Sequence, residues 1–430
     1  MPKLKIMRGV DPAAPAPSRD GAVEIATRAD LARIGRWRRS FSGQRKDHRF
    51  YELVERTICP DFTYRYFIIR DGRGEVRAIQ PCFLLDQDLL AGVPSLARAA
   101  ERLVRGWWPR FLRLRTLMVG CAAGEGHIDP GHDEPDRRHL DIFAKALRQH
   151  AIDAGAKLIV MKEFTAQDRP GLDCFLDHGF TRVPSFPMAS LDLPYADFED
   201  YLKRGVSAKR RSELRRKFRA SDKSPPIEMS VMRDITPAVD EVYALYMQVY
   251  ERSPLHFEKL TKAYLCELGR LMPDKVRFFV WRQSGKPVAF SLSMVHGDTI
   301  YNEYLGLDYA VALKLHLYFR AFRDIASWAI ANGYRRCVST SLCYEPKLQL
   351  GFRLMPLDLY VRHTSPALNV LLGWLLPLIE PTRHDRTLRK FPNAEEMRPD
   401  RRMRDNYPRA SSTARSDIFD QAETRSRKAM

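Results

Sequence analysis

Residues 276–307 read VRFFVWRQSGKPVAFSLSMVHGDTIYNEYLGL, and the alternation of apolar runs and turn residues in that stretch decides the fold. Val276–Arg282 is apolar and aromatic, Gln283-Ser284-Gly285-Lys286 has turn composition, and Pro287–Val295 alternates. Gly297-Asp298 turns again, and Thr299–Leu305 is rich in β-branched and aromatic residues. Three strands in an antiparallel meander are therefore predicted. Downstream, Leu315, Tyr318, Phe322, Ile325 and Ala329 recur at spacings of three and four. This pattern predicts a helix over Leu313–Ala331 with one apolar face. Asn332-Gly333 are residue types that end a helix in the left-handed conformation, and Arg336–Ser341 reads as a strand returning beside the meander. The segment closes on the corner Leu350-Gly351-Phe352. A meander feeding one crossover helix and a further strand is a half-open α/β unit, which can hold a ligand where its sheet splays.

The same order occurs earlier in the chain. Tyr64–Arg70 and Glu75–Leu84 flank the hairpin signal Asp71-Gly72-Arg73-Gly74, Leu114–Gly120 is an apolar strand, and Arg138–Ala154 carries Leu140, Phe143, Leu147 and Ala151 on one helical face. Gly155 stops that helix, Lys157–Met161 is a short buried strand, and Leu176-Asp177-His178-Gly179-Phe180 repeats the Gly-Phe corner. From hairpin glycine to helix-stop glycine the first copy spans 83 residues against 48 in the second. The excess falls on residues 86–115, where Trp107-Trp108-Pro109-Arg110-Phe111 sits among arginines, and this stretch reads as an insertion. The predicted organisation is a disordered N-terminus (1–20), a first unit (21–195), a second unit (196–381) and a basic, mostly disordered tail (382–430). Ala29–Phe41 is expected to be a basic helix.

At 430 residues the chain is long enough for two cores. Its net charge of +18 predicts an anionic partner: nucleic acid, a phosphate-bearing cosubstrate or an anionic membrane surface. Seven cysteines are scattered with no C-x-x-C pair, which argues against a zinc or redox motif and for a reducing compartment. The N-terminus has no signal-peptide core, and Ala367–Ile379 is too short to span a bilayer. The expected location is cytoplasmic, with Trp107–Phe111 and Leu368–Ile379 as stretches suited either to a membrane interface or to packing.

Four stretches carry the functional reading. Ser207-Ala208-Lys209-Arg210-Arg211-Ser212-Glu213-Leu214-Arg215-Arg216-Lys217 opens the second copy, and nine Lys or Arg residues lie between Lys203 and Arg219. Tyr301-Asn302-Glu303-Tyr304-Leu305-Gly306, Leu315-His316-Leu317 and Glu345-Pro346-Lys347 follow. Together they resemble the GNAT acyltransferase superfamily, and within it the tandem branch of Fem-type aminoacyl transferases and peptidoglycan-biosynthesis N-acyltransferases. The resemblance implies an α/β fold of two tandem GNAT-like units with mixed sheets and crossover helices. It also implies transfer of an acyl or aminoacyl group from a CoA thioester or aminoacyl-tRNA to an amine or hydroxyl, such as one on a cell-envelope precursor. Acyl-CoA would be a cosubstrate, and no cofactor would be tightly held.

On this reading Arg210, Arg211, Arg215 and Arg216 anchor phosphate through charge-assisted forks, and Glu303 is the base that deprotonates an attacking amine. Tyr301, Tyr344 or His316 donates a proton or positions the substrate, and Glu345 and Lys347 stand at a strand end where α/β ligands bind. In the first copy Gly124 and Gly126 sit where a phosphate loop is expected, whereas Leu307–Ala312 in the second copy has no glycine. Each residue also has a plainer role open to it: a solvated basic helix, a sheet glutamate, a capping histidine, a charged loop. An extended strand would put Tyr301 and Glu303 on one face and Asn302 and Tyr304 on the other. A non-catalytic module that binds RNA or anionic lipid through the basic helix is the alternative function.

Overall fold

The computed structural model describes residues 7–8, 21–58, 62–88, 113–129, 137–253, 256–383 and 385–397. By internal contacts the described residues divide into a first unit (those within 7–185 and 356–383) and a second (those within 186–355 and 385–397). The predicted insertion at 86–115 falls mostly outside the described residues, as do 9–20 and 398–430.

The first unit holds an eight-stranded sheet. Its strands are β1 (Met7–Arg8), β2 (Ala22–Ala26), β3 (Thr63–Arg70), β4 (Val76–Asp88), β5 (Arg113–Val119), β6 (Leu158–Thr165) and β7 (Thr181–Pro184). The eighth comes from far along the sequence. Strands β2 to β5 form an antiparallel meander, and β6 returns parallel to β5 after the helix α1 (Arg137–Asp153). The amphipathic face of α1 drives this arrangement: Leu140, Phe143, Leu147 and Ala151 are buried against Phe67, Val119, Ile159 and Met161. The helix predicted over Ala29–Phe41 reduces to Arg28–Leu31 and one 3-10 turn at Trp37–Arg39. The chain turns there because Arg36 and Ser40 are drawn to buried Asp129, at 3.5 and 3.0 Å.

The second unit holds a seven-stranded sheet built from β8 (Met188–Asp192), β9 (Ile227–Met232), β10 (Val276–Gln283), β11 (Lys286–His296), β12 (Thr299–Leu307), β13 (Arg336–Ser339) and β14 (Arg353–Met355). The meander β10–β11–β12 and the strand β13, parallel to β12, fall as the sequence predicts. Among the helices of this unit are α2 (Phe198–Arg204), α3 (Ala208–Asp222), α4 (Val239–Tyr250), α5 (Lys262–Leu271) and the crossover helix α6 (Leu317–Ala331). One sheet face is covered by α6 and α3 through Phe322, Ile325, Ala329, Leu214 and Phe218, and α4 packs on β11 and β12 from the other side.

Aligned by order, β2-β3-β4-β5-β6-…-β7 corresponds to β9-β10-β11-β12-β13-…-β14, so one topology is present twice. The gap in each series is filled by a strand from the other half of the chain. In the first sheet β15 (Leu357–His363) lies antiparallel between β6 and β7, and in the second β8 lies antiparallel between β13 and β14. The two copies have exchanged their last strands. Contiguous ranges ending at 195 and 381 therefore depart from the contact division at both ends. A periodicity argument cannot see the exchange, because it fixes strands but not their neighbours. The expected disordered tail is also too long by residues 385–397: Leu388, Phe391 and Met397 are buried in the second core, and Asn393 bonds both backbone groups of Leu354.

Candidate active site

β12 is the central element of the second unit. Its ladder with β11 slips one residue, with Leu292 opposite Tyr304 and Ser293 opposite Asn302, so Glu303 is the extra residue of a β-bulge. The bulge breaks the alternation expected for an extended strand. Asn302 donates to the Cys337 thiol at 3.4 Å, in the core beneath α6. Tyr304 donates to Glu258 at 2.6 Å and meets Tyr246 of α4 edge-on. Asn302 and Tyr304 thus serve opposite faces although they are two apart. On its other edge β12 pairs with β13 only from Thr299 to Asn302. The last links are Thr340, whose N–H reaches Asn302 O at 3.3 Å and whose hydroxyl reaches Glu303 O at 3.0 Å. Glu303, 8% exposed, therefore stands where the two parallel strands part.

A second cluster gathers at the N-terminus of α6. His316 precedes the helix in a left-handed conformation (φ 47°, ψ 44°), which hooks a glycine-free loop into the helix. Lys217 of α3 reaches in from the side, donating to Gln349 at 2.6 Å and lying 3.5 Å from the centre of the Phe319 ring. Burial depresses the Lys217 ammonium; Glu213 and Glu345 oppose that, while Arg216 adds to it. His316 is likewise lowered, first by burial and then by Lys217 and Arg216, so its imidazole is neutral near pH 7. Glu345 contributes a carboxylate whose Oε2 is buried without a hydrogen-bond partner. The structure thus brings together His316, Arg216, Lys217 and Glu345.

The remaining sequence candidates lie elsewhere or have other partners. Arg211 caps the C-terminus of α2, donating to Leu202 O and Lys203 O at 3.3 and 2.9 Å. Arg215 pairs with Glu199 at 2.7 Å on the surface. Arg210 occupies the first turn of α3, its N–H on the Ser207 cap. Tyr301 sits in the fully paired part of β12, opposite Met294 and Val338. Tyr344 opens the short helix α7 (Tyr344–Gln349) and donates to Pro187 O at 2.9 Å. Lys347 is 2% exposed and donates to the carbonyls of Thr340 and Leu342. That is a bracket for the left-handed turn at Leu342 and Cys343, not a free phosphate anchor.

In the first unit the glycine stretch is folded against the sheet. Gly126 N donates to Lys162 O at 3.1 Å and the residue bridges Phe164 of β6. A Cβ there would lie 2.6 Å from Lys162 O. Gly124 O accepts from Lys162 Nζ at 2.8 Å. Between them, buried Glu125 pairs with Arg45 and Lys46. Burial alone would raise the Glu125 carboxyl, but Arg45, Lys46 and His127 outweigh it and hold it well below the usual range. The space beside β5 that a phosphate loop would need is filled by the chain itself.

Residues 208–339 match the family model of the acetyltransferase (GNAT) domain. The likeness to a GNAT domain is to this stretch of the chain. It runs from the first residue of α3 to the last of β13 and so contains the bulge, the strand divergence and the crossover helix. A putative 8-amino-7-oxononanoate synthase 2 of Mycobacterium tuberculosis is 23% identical over 332 residues, 74% of this chain. The chain spans 42% of that relative's length. Among solved structures, the C-terminal domain of a putative lysylphosphatidylglycerol synthetase from Agrobacterium fabrum is similar at 13% identity and a TM-score of 0.45, over 72% of this chain and 88% of that one. FemX is similar at 10% and 0.45, over 72% and 90%. A tandem GNAT protein of the clavulanic acid pathway is similar at 13% and 0.42, over 73% and 87%.

Lys217 and the Glu258–Tyr304 pair were not singled out from the sequence. Lys217 was hidden among nine like charges, and only its neighbours Phe319 and Gln349 set it apart. Tyr243, Tyr246 and Tyr250 recur at three and four along α4, a signal that could have flagged the tyrosine wall beside Tyr304.

Proposed function

We propose that the GNAT domain of the second unit is the catalytic one and that it transfers an acyl or aminoacyl group from a CoA thioester or aminoacyl-tRNA to an amine or hydroxyl of a cell-envelope precursor. The observation that carries this reading is Glu303, the bulged residue of β12, at the point where β12 and β13 diverge within the matched domain. The β13 ladder on β12 ends at Asn302, and strand N–H groups past such a divergence can hold a reacting carbonyl. In the proposed reaction the nucleophile attacks the donor carbonyl directly. Glu303 takes its proton, the tetrahedral oxyanion rests on strand N–H groups, and its collapse breaks the bond to the thiolate or ribose oxygen, which takes the proton held by Glu303. Lys217, Arg216 and the N-terminus of α6 hold the donor phosphates, and the charge of Glu345 favours the Lys217 ammonium. The first unit, with its glycine stretch packed on β6, serves as a scaffold.

A screen of the purified protein against acyl-CoAs and aminoacyl-tRNA tests this reading. A ligand that raises Tm should also be turned over, and Glu303→Gln should lower kcat by about a hundredfold or more, the usual contribution of a positioned base, while the Tm shift with donor persists. Intact turnover in Glu303→Gln removes Glu303 from the mechanism. No stabilisation by any donor, with steeply salt-dependent binding of RNA, would replace the enzyme with a nucleic-acid-binding module.

A further inference from the structure

The helix α8 (Pro366–Ile379) has no charged residue and packs on β15 and β7 of the first unit. Its inner face is narrow: Gly373 lies against Thr181, and Asn369 donates to Gly179 O at 2.8 Å and accepts from His363 N at 2.7 Å. Its outer face is apolar. Of the eight large apolar side chains that are exposed among the described residues, six are here: Leu368, Val370, Leu371, Trp374, Leu375 and Leu378. Val370 and Trp374 are 65% and 59% exposed. At spacings of three and four these six form one ridge, about 15 Å long at 1.5 Å per residue.

Two arginines stand at the start of that ridge. The Arg362 guanidinium lies beside Asn369 in the first turn of α8 and 5.9 Å from the Phe180 ring. Arg148 of α1 is its electrostatic neighbour, and each has a buried Nε with no hydrogen-bond partner. Two adjacent guanidinium groups with no carboxylate on either among the described residues call for an external anion. At the far end Arg383 donates to Pro377 O at 2.8 Å.

We propose that α8 docks the protein on an anionic lipid bilayer, lying in the interface with its ridge among the acyl chains and Arg148 and Arg362 on lipid phosphates. An exposed apolar ridge with a central Trp suits the boundary between headgroups and acyl chains, and arginines beside it are drawn to anionic lipid. No helix among the described residues is long and apolar enough to cross a membrane, and α8, at about 21 Å, falls short of the roughly 30 Å hydrocarbon core. A second copy of the chain is the weaker occupant: a ridge about 15 Å long and one helix wide covers a few hundred Å² at most, against about 800 Å² per partner in stable dimers. The inference is independent of the transfer chemistry.

The test is co-sedimentation of the full chain with vesicles of phosphatidylcholine alone or mixed with phosphatidylglycerol, together with amide exchange of residues 366–379. The parent should pellet with the anionic vesicles and gain protection in α8. Leu371→Glu/Trp374→Glu, which adds charge only on the exposed ridge, should lower partitioning about tenfold or more at unchanged Tm. Arg148→Ala/Arg362→Ala should reduce the preference for phosphatidylglycerol. Undiminished binding by the ridge variant would assign the attraction to net charge alone and overturn the proposal. A parent dimer that the ridge variant converts to monomer, with no vesicle binding, would overturn it in favour of a second copy. Acyl transfer to a soluble amine, measured separately, should be the same in parent and ridge variant.

Discussion

Lys217 and Lys347 stand 130 positions apart in sequence, and burial depresses both ammonium groups, but their partners differ. Lys217 is half-buried at the mouth of α6 and bonded to one neutral amide, so it can take a phosphate. Its lowered pKa means that the cation is lost, as pH rises, sooner than for an ordinary lysine. Donor KM should therefore climb on the alkaline side, and Lys217→Met should raise KM about tenfold at neutral pH and remove that alkaline rise. Initial-rate measurements across pH check both. Lys347 is buried with two carbonyls as acceptors, and burial lowers its pKa from the ordinary 10.5 to about 8. The folded chain then binds fewer protons than the unfolded chain between those two values, so this group makes stability rise with pH across that window, by up to about 1.4 kcal/mol per pH unit. Lys347→Met should abolish that slope and, by leaving the carbonyls of Thr340 and Leu342 unmatched, lower stability at pH 7 by about 1–3 kcal/mol. Urea denaturation at several pH values reads both effects.

β12 shows how one inserted residue reorganises an element. Without the bulge, Asn302 and Tyr304 would share a face; with it, Asn302 joins the α6 core and Tyr304 the α4 side, and the intervening Glu303 is placed where the sheet parts. The strand composition was legible in Thr299–Leu305, but the bulge was not, since it arises from the slip between Leu292 and Ser293 on the partner strand. Farther along β12, Gly306 is required by close approach. A Cβ would lie 2.5 Å from the Phe290 ring and 2.7 Å from Tyr246 N of α4. Gly306→Ala should therefore cost about 1–3 kcal/mol by overpacking, seen as a lower urea midpoint. An unchanged midpoint would mean that α4 is free to move off the sheet.

At the scale of the molecule, the exchange of β8 and β15 makes each unit depend on a strand encoded beside the other. β15 is secured in the first sheet by Asp358, 2% exposed, whose carboxylate accepts from Arg169 Nε at 2.5 Å and Nη2 at 3.1 Å. Asp358→Asn leaves Arg169 without its carboxylate and should destabilise the first unit by about 3–5 kcal/mol. In amide exchange, protection in β6 and β7 should then fall before protection in β11 and β12. Equal loss in all four strands would show that the two units unfold as one.

The sequence by itself determined the two copies, the meander and crossover helix of each, and the basic helix with its Leu214–Phe218 seam, because these follow from local periodicity and turn chemistry. It also placed Glu303 and His316 in the right elements. The tertiary structure decided which strands are neighbours, that the last strands are exchanged, and that Gly124 and Gly126 pack on β6. It also decided that Lys217, rather than Arg211 or Lys347, faces the start of α6. These outcomes depend on long-range pairing and on which charges find carboxylates or carbonyls, and such choices are settled by packing between residues far apart in the chain.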